Sequence, residues 1–169
     1  SLFDISPIIW GFRKHHPKFI AKIELGKGIP SISYNLRHGG SALIDRGKPL
    51  QSVREIGKLG RYVEQNRCAV VIFPEGTRTR DGKMKAFLPA GVDALLKAAP
   101  SAVVVPLAIN GTYELTKEGL YPMSFGVRIT LTVLAPIAPG PLTAEEIVMK
   151  AENMIREALE KEKSGVRLS

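Results

Sequence analysis

The sequence predicts an α/β domain with a mostly parallel central sheet flanked by helices, in a layered, sandwich-like arrangement. Short apolar runs rich in β-branched residues, amphipathic stretches alternating with them, and a length of 169 residues, enough for one substantial core, together predict it. A single domain is expected over residues 1–169. Hydrophobic residues make up 44% and charged residues 24%, a balance that excludes disordered and fibrous classes.

The first expected strand is Phe19-Ile20-Ala21-Lys22, the second Ser41-Ala42-Leu43-Ile44 and the third Ala69-Val70-Val71-Ile72-Phe73. Each is short and largely apolar, as buried strands are. Between the second and third, Leu50, Val53, Ile56, Gly60 and Val63 recur at intervals of three and four, giving one apolar helical face while Arg54, Lys58 and Arg61 point elsewhere. That segment reads as a crossover helix. A shorter helix is expected over Ala90–Ala98, closed off by Pro100. Further strands follow at Ala102–Val105 with Leu107–Ile109, and at Val127–Leu134. Pro136, Pro139 and Pro141 mark a rigid connector, not a second domain. The last helix opens with Thr143-Ala144-Glu145-Glu146, a capping box in which the hydroxyl and the Glu146 carboxylate each satisfy an orphan amide. Ile147, Ala151, Met154, Ile155, Ala158 and Leu159 form its buried stripe, and the glutamate-rich opposite face favours docking on the domain's own sheet over a membrane.

Lysine and arginine number 24 against 16 acidic residues, a net charge of +8 that favours an anionic partner: phosphate, nucleic acid or an acidic bilayer surface. The excess lies ahead of the last helix, because Thr143–Lys163 holds six glutamates against four basic residues. Cys68, the only cysteine, excludes an internal disulfide, suits a reducing compartment, and sits in an apolar run as a core filler. No apolar stretch approaches the ~20 residues that span a bilayer. Nor does Ser1-Leu2-Phe3-Asp4 read as a signal peptide. A protein lying on a membrane surface remains compatible with both observations.

The most informative segment is Phe73-Pro74-Glu75-Gly76-Thr77-Arg78, which follows an apolar strand and packs a carboxylate, a glycine, a hydroxyl and a guanidinium into one turn. Strand ends are where α/β sheets usually bind ligands. Gly76 lets backbone amides approach a ligand, and Arg78 offers a planar fork for phosphate oxygens. The same residues also fit a charged surface turn in which Glu75 pairs with Arg78, and the turn alone does not separate the two readings. Gly39–Arg46 is a second short strand, ending in Asp45-Arg46; Arg46 could hold the same phosphate, or simply pair with Asp45. His15, His16, His38 and Cys68 show no zinc-ligand spacing, so no metal site is expected. Asn110-Gly111-Thr112 reads as a turn.

The order and spacing of these pieces resemble the glycerolipid acyltransferase family. Its first block is a histidine, four residues and an aspartate; Ser1-Leu2-Phe3-Asp4 matches the last four positions, which puts the histidine two residues before Ser1, in a domain truncated at its N-terminus. Gly40–Arg46 matches a glycine-led strand ending in Asp-Arg, and Phe73–Arg78 matches all six positions of Phe-Pro-Glu-Gly-Thr-Arg. Val103–Ile109 matches a β-branched run with proline, and Lys18–Leu25 the family's lysine and Glu-Leu segment. Together the blocks cover the first two-thirds of the chain in the family's order.

The resemblance implies acyl transfer from an acyl thioester, on coenzyme A or acyl carrier protein, to the sn-2 hydroxyl of lysophosphatidate, a step of phospholipid synthesis. Glycerol-3-phosphate or another lysophospholipid is the alternative acceptor. The upstream histidine is then the general base, with Asp4 orienting it. Arg46 and Arg78 hold the acceptor's phosphate, Glu75 orders the loop, Thr77 belongs to the same binding turn, amides near Gly76 steady the tetrahedral oxyanion, and Lys22 adds positive charge at the mouth. Pro106 and its neighbours form a wall of an acyl groove or, equally, plain sheet core. No cofactor is implied beyond the thioester donor. The implied partners are the donor, the lysophospholipid and an anionic membrane surface on the cytoplasmic face, without nucleic acid.

Two other classes compete. A nucleic-acid-binding domain fits the isoelectric point of about 9.7, and Gly57-Lys58-Leu59-Gly60 has the form of a KH clamp loop. That match lies inside a helical pattern, and aromatics at 7% provide no stacking platform. A hydrolase lacks its Gly-x-Ser-x-Gly elbow. A relative that binds anionic lipid without catalysis is the remaining reading, and without its base this chain behaves as one.

Overall fold

In the computed structural model the residues described are 4–23, 34, 39–45, 47–76, 84–116 and 126–164. The elements are α1 (Ile5–Gly11), a 3₁₀ turn at Arg13–His15, β1 (Lys18–Lys22), β2 (Ala42–Ile44), α2 (Pro49–Asn66), β3 (Val70–Val71), α3 (Ala90–Ala98), β4 (Leu107–Asn110), α4 (Thr112–Thr116), β5 (Thr130–Val133) and α5 (Ala144–Lys163). The chain divides into two compact units. Residues 8–74 and 88–102 form a parallel-sheet unit, and residues 1–7, 75–87 and 103–169 form an antiparallel unit.

In the parallel-sheet unit the strand order is β2-β1-β3, with β1 parallel to both neighbours. A central strand is covered on both faces, and Phe19, Ile20 and Ala21 are buried in succession, Phe19 completely. The β2–β1 join begins where the Phe19 amide donates to Ser41 Oγ at 3.0 Å. Between β2 and β3 runs α2, with Pro49 in its first turn, where a missing N–H costs nothing. Ile20, Ile44, Ile56, Leu59, Val63, Ala94 and Leu95 make the core, and Ala42, Cys68, Val70 and Ile72 pack against it. Cys68 is thus a core filler, as its apolar run suggests. The helices α2 and α3 approach closely at Gly60: a Cβ there would stand 2.7 Å from Ala98 Cβ.

The buried stripe of α2 differs from the expected one. Ser52, Ile56, Leu59, Gly60 and Val63 face inward, whereas Leu50 is 89% exposed and Val53 is also exposed. The cause is the first turn. Ser52 Oγ donates to the Asp45 carbonyl at 2.8 Å, which turns position 52 toward the sheet and positions 50 and 53 away from it. The Gly57–Gly60 stretch lies wholly within this helix and forms no clamp loop.

In the antiparallel unit β4 and β5 pair with each other, Leu107 opposite Val133 and Asn110 opposite Thr130. They make a separate two-stranded sheet, so among the described residues the parallel sheet holds three of the five strands. The expected strand at Ala102–Val105 shrinks to one bridge between Val104 and Ile137, with Val103 and Val105 exposed. Pro106 has no N–H and cannot carry a ladder through from β4. Its carbonyl accepts from the Leu134 amide at 3.0 Å, and the ring is buried. Gly111 has φ +86°, and a Cβ there would meet the Arg128 carbonyl oxygen at 2.1 Å, so the turn after Asn110 requires glycine twice over.

The last helix begins as its sequence predicts. Glu146 N–H donates to Thr143 Oγ1 at 3.2 Å, and Thr143 N–H donates to Glu146 Oε2 at 2.7 Å. Ile147, Val148, Ala151 and Ala158 are buried, and α5 packs on β4. Its glutamates do more than face solvent, since Glu162 accepts a hydrogen bond from the Thr130 hydroxyl on β5.

Candidate functional site

Three parallel strands end at one edge of the parallel-sheet unit, the edge at which α/β sheets usually bind ligands. Lys22, the exposed last residue of β1, stands opposite Ile44, the last of β2. On the other side Lys18 and Phe19 stand opposite Val70 and Val71, and counting on from that register brings Phe73 and Pro74 to the level of Ala21 and Lys22. This edge therefore carries Lys22, Asp45 and the start of the Phe73–Arg78 segment.

Asp45 has a structural task there. Its Oδ1 accepts from the Gly47 amide at 3.0 Å, its carbonyl accepts from Lys48 N–H at 2.9 Å, and Lys48 Nζ lies 3.9 Å from Oδ2. These contacts turn the chain from β2 into α2. Arg46, Thr77 and Arg78, all expected at the site, lie outside the described residues, as do Ser1, Leu2, Phe3, Glu24, Leu25 and His38.

The excursion that leaves β3 is closed at its base, where Leu88 N–H donates to the Pro74 carbonyl at 2.9 Å. Within the antiparallel unit Glu75 Oε2 accepts from the Lys85 amide at 2.9 Å. This bond ties the Glu75 side chain to the backbone at Lys85. Gly76 has φ +69°, in the left-handed region that glycine enters without steric cost. Two residues after Lys85, the Phe87 amide donates to Glu152 Oε2 on α5 at 2.9 Å, while Arg156 Nη2 donates to Glu152 Oε1 at 2.8 Å. The Phe87 amide in the first place, with Arg156 assisting against the opposing effect of burial, holds the Glu152 carboxyl below its ordinary value of 4.5.

Sequence reasoning missed Glu152. The only signal present was its i,i+4 spacing to Arg156, which marks many surface pairs. Its decisive partner is a backbone amide 65 residues away.

Asp4 is 8% exposed and sits immediately ahead of α1, whose Ile5 and Ile8 are buried. A carboxylate is seldom buried without a positioned task, because desolvation opposes its charged form. Asp4, Glu75 and Gly76 belong to the antiparallel unit, and Lys22 to the parallel-sheet unit. His15 and His16 are exposed, next to the strand start, where the His15 carbonyl accepts from the Ala69 amide at 2.8 Å. Among the described residues no helix is long and apolar enough to cross a membrane.

The family model described as Acyltransferase matches residues 1–110. A 1-acyl-sn-glycerol-3-phosphate acyltransferase of Limnanthes douglasii is 29% identical over 114 residues, 68% of this chain and 39% of its own. The protein of that name from Cocos nucifera is 28% identical over 150 residues, covering 87% of this chain and 46% of its own. The one from Pseudomonas aeruginosa is 30% identical over 118 residues, or 69% and 45%. Among solved structures, the 1-acyl-sn-glycerophosphate (LPA) acyltransferase PlsC from Thermotoga maritima superposes with a TM-score of 0.69 at 26% identity, over 95% of this chain and 62% of that one. The chain thus spans less than half the length of these curated relatives.

Proposed function

The chain belongs to the Acyltransferase family, and from that premise we propose that it transfers an acyl group from a thioester, on coenzyme A or acyl carrier protein, to the sn-2 hydroxyl of lysophosphatidate. The observation that carries this reading is the described part of that motif, Phe73-Pro74-Glu75-Gly76: it leaves the carboxyl edge of a parallel sheet, has a left-handed Gly76, and has its Glu75 carboxylate bonded to the Lys85 amide. The names of the relatives and of the solved neighbour support lysophosphatidate as the acceptor.

The chemistry needs a base, an anion grip and an oxyanion site. A histidine two positions ahead of Ser1, oriented by Asp4, takes the proton from the acceptor hydroxyl. The oxygen attacks the thioester carbonyl carbon, and amides near Gly76 steady the tetrahedral oxyanion. Collapse breaks the C–S bond, the imidazolium returns its proton to the departing thiolate, and phosphatidate leaves. No acyl-enzyme forms. Arg46 and Arg78 grip the phosphate monoester with charge-assisted bonds, Thr77 contributes its hydroxyl beside them, and Lys22 raises the local positive potential. Both substrates are met at an anionic membrane surface on the cytoplasmic face, which the +8 net charge favours.

The test is thiol release by protein carrying that histidine, with lysophosphatidate, glycerol-3-phosphate and lysophosphatidylcholine compared on vesicles containing phosphatidylglycerol. Lysophosphatidate is expected to give the highest kcat/KM, and the histidine-to-alanine version negligible turnover. Arg46→Ala and Arg78→Ala are each expected to raise the acceptor KM about tenfold to a hundredfold, as loss of a charge-assisted bond does. A preference for glycerol-3-phosphate, or tight oligonucleotide binding without phosphatidate binding, overturns the assignment.

A further inference from the structure

We infer that Glu152 is a positioning residue for the acceptor-binding turn: from α5 it fixes residues 84–88, to which the Glu75 side chain is bonded at Lys85. This rests on the functional reading above, which places the acceptor's phosphate at that turn.

Residues 84–88 have no helix or strand to take up their amides. Outside helix and strand a backbone N–H takes its acceptor from a side chain or from water, and here carboxylates supply it, to an exposed amide at Lys85 and a partly buried one at Phe87. Glu75 takes the Lys85 amide and Glu152 takes the Phe87 amide, each at 2.9 Å. Glu75 is thus tied to Lys85, and Lys85 lies two residues from the point where α5 grips the chain. Charge-assisted bonds of this kind hold geometry more firmly than neutral ones.

Glu152 is well placed to impose a position. It sits on a helix capped at Thr143 and buried through Ile147, Val148, Ala151 and Ala158. Its two oxygens are divided, Oε2 to Phe87 and Oε1 to Arg156, and its side chain is 21% exposed, so the carboxylate has little freedom to turn. A site held by a rigid element and a second layer of bonds keeps its geometry, and a displacement near 1 Å can cost about a hundredfold in rate. Position matters here for acceptor binding, because the turn grips the phosphate from the first encounter, whereas amides near Gly76 meet the thioester oxygen only once the tetrahedral oxyanion has formed; the donor KM is therefore spared while the acceptor KM and kcat respond.

The test compares Glu152→Ala, Glu152→Gln and, as a control for the stability of α5, Thr143→Ala. Amide exchange is followed residue by residue by NMR, and acceptor and donor KM are measured separately. In Glu152→Ala the Phe87 amide is expected to lose protection, and the acceptor KM to rise about tenfold while the donor KM holds. Glutamine keeps a carbonyl oxygen for the Phe87 amide, so Glu152→Gln should restore most of both. Thr143→Ala should leave the ratio of the two KM values unchanged. Unaltered Phe87 protection in Glu152→Ala overturns the inference, and so does an equal rise of both KM values in all three variants. An active protein indifferent to Glu152→Ala sinks the inference alone. A wild-type protein that transfers to no acceptor sinks the functional reading and the inference with it, whatever the exchange shows.

Discussion

The two units keep their shape by different means. The parallel-sheet unit is held by apolar burial: Phe19 is fully enclosed, and Ile20, Ile44, Ile56, Leu59 and Val63 form a continuous core under α2 and α3. The antiparallel unit has the buried stripe of α5, but Lys85 and Phe87 within it are held by carboxylates on their backbone amides, Glu75 on Lys85 and Glu152 on Phe87. Apolar contact is non-directional and proportional to area, so it supplies stability. A charge-assisted hydrogen bond adds less net stability but fixes a direction, so it supplies placement. The first unit should therefore answer to volume and the second to charge and pH.

The largest effect tests the first half of that contrast. Ile56 is buried on α2 among the core side chains and close to the start of α3. Ile56→Ala should lower unfolding free energy by about 2–5 kcal/mol, the lost transfer energy plus an unfilled cavity, as measured by urea denaturation. The Phe87 amide should keep its protection as long as the protein stays folded. A loss below about 1 kcal/mol, or exposure of Phe87 in the folded variant, breaks the comparison.

A smaller effect tests the second half. The Glu152 carboxyl is held below 4.5 by the Phe87 amide first and by Arg156, with burial opposing. Near that pH the unfolded chain binds more protons at this position than the folded one. The stabilisation is therefore complete above the unfolded value of 4.5 and is lost as pH falls through the lower folded value. Urea titrations from pH 6 downward, at intervals of roughly half a unit, should show Glu152→Gln losing stability less steeply than the wild type below 4.5. Identical slopes would mean the carboxylate is not held by the loop.

What the sequence made legible divides along the same line. The capping box at Thr143 and both ends of α3 were readable because their causes lie within a few residues. The central strand β1 was readable because a strand buried on both faces is an apolar run, while β2 and β3 are half-buried and β3 is shorter than its apolar run. The expected α2 stripe slipped because Ser52 is turned inward by the Asp45 carbonyl, a contact that periodicity does not encode. Val103 and Val105 look like strand residues but are exposed, since Pro106 stops the ladder. The short helices α1 and α4 left too few turns for a period to register. Block order singled out Asp4, Glu75 and Gly76 as candidates, whereas nothing singled out Glu152, because an amide acceptor distant in sequence has no composition signature.

The smallest effect sharpens the contrast by holding geometry constant. Lys97 and Asp93 on α3 form an i,i+4 pair at 2.7 Å, nearly the same arrangement as Arg156 with Glu152 at 2.8 Å. The difference lies in the surroundings: the Lys97 and Asp93 side chains are 75% and 39% exposed, and water screens them. The acid lies N-terminal to the base, the favourable orientation, and Lys97 is in the helix's last turn, where its charge suits the dipole. Lys97→Met should therefore cost about 0.3–0.5 kcal/mol at low ionic strength and close to nothing in ~1 M salt, where the Debye length is about 3 Å. Urea denaturation at both salt concentrations measures it. A salt-independent loss above ~1.5 kcal/mol would place Lys97 among groups whose charge is shielded from water, outside the range of exposed pairs. The parallel-sheet unit would then depend on placed charges as the loop does, and the distinction between a unit built on volume and one built on direction would fail.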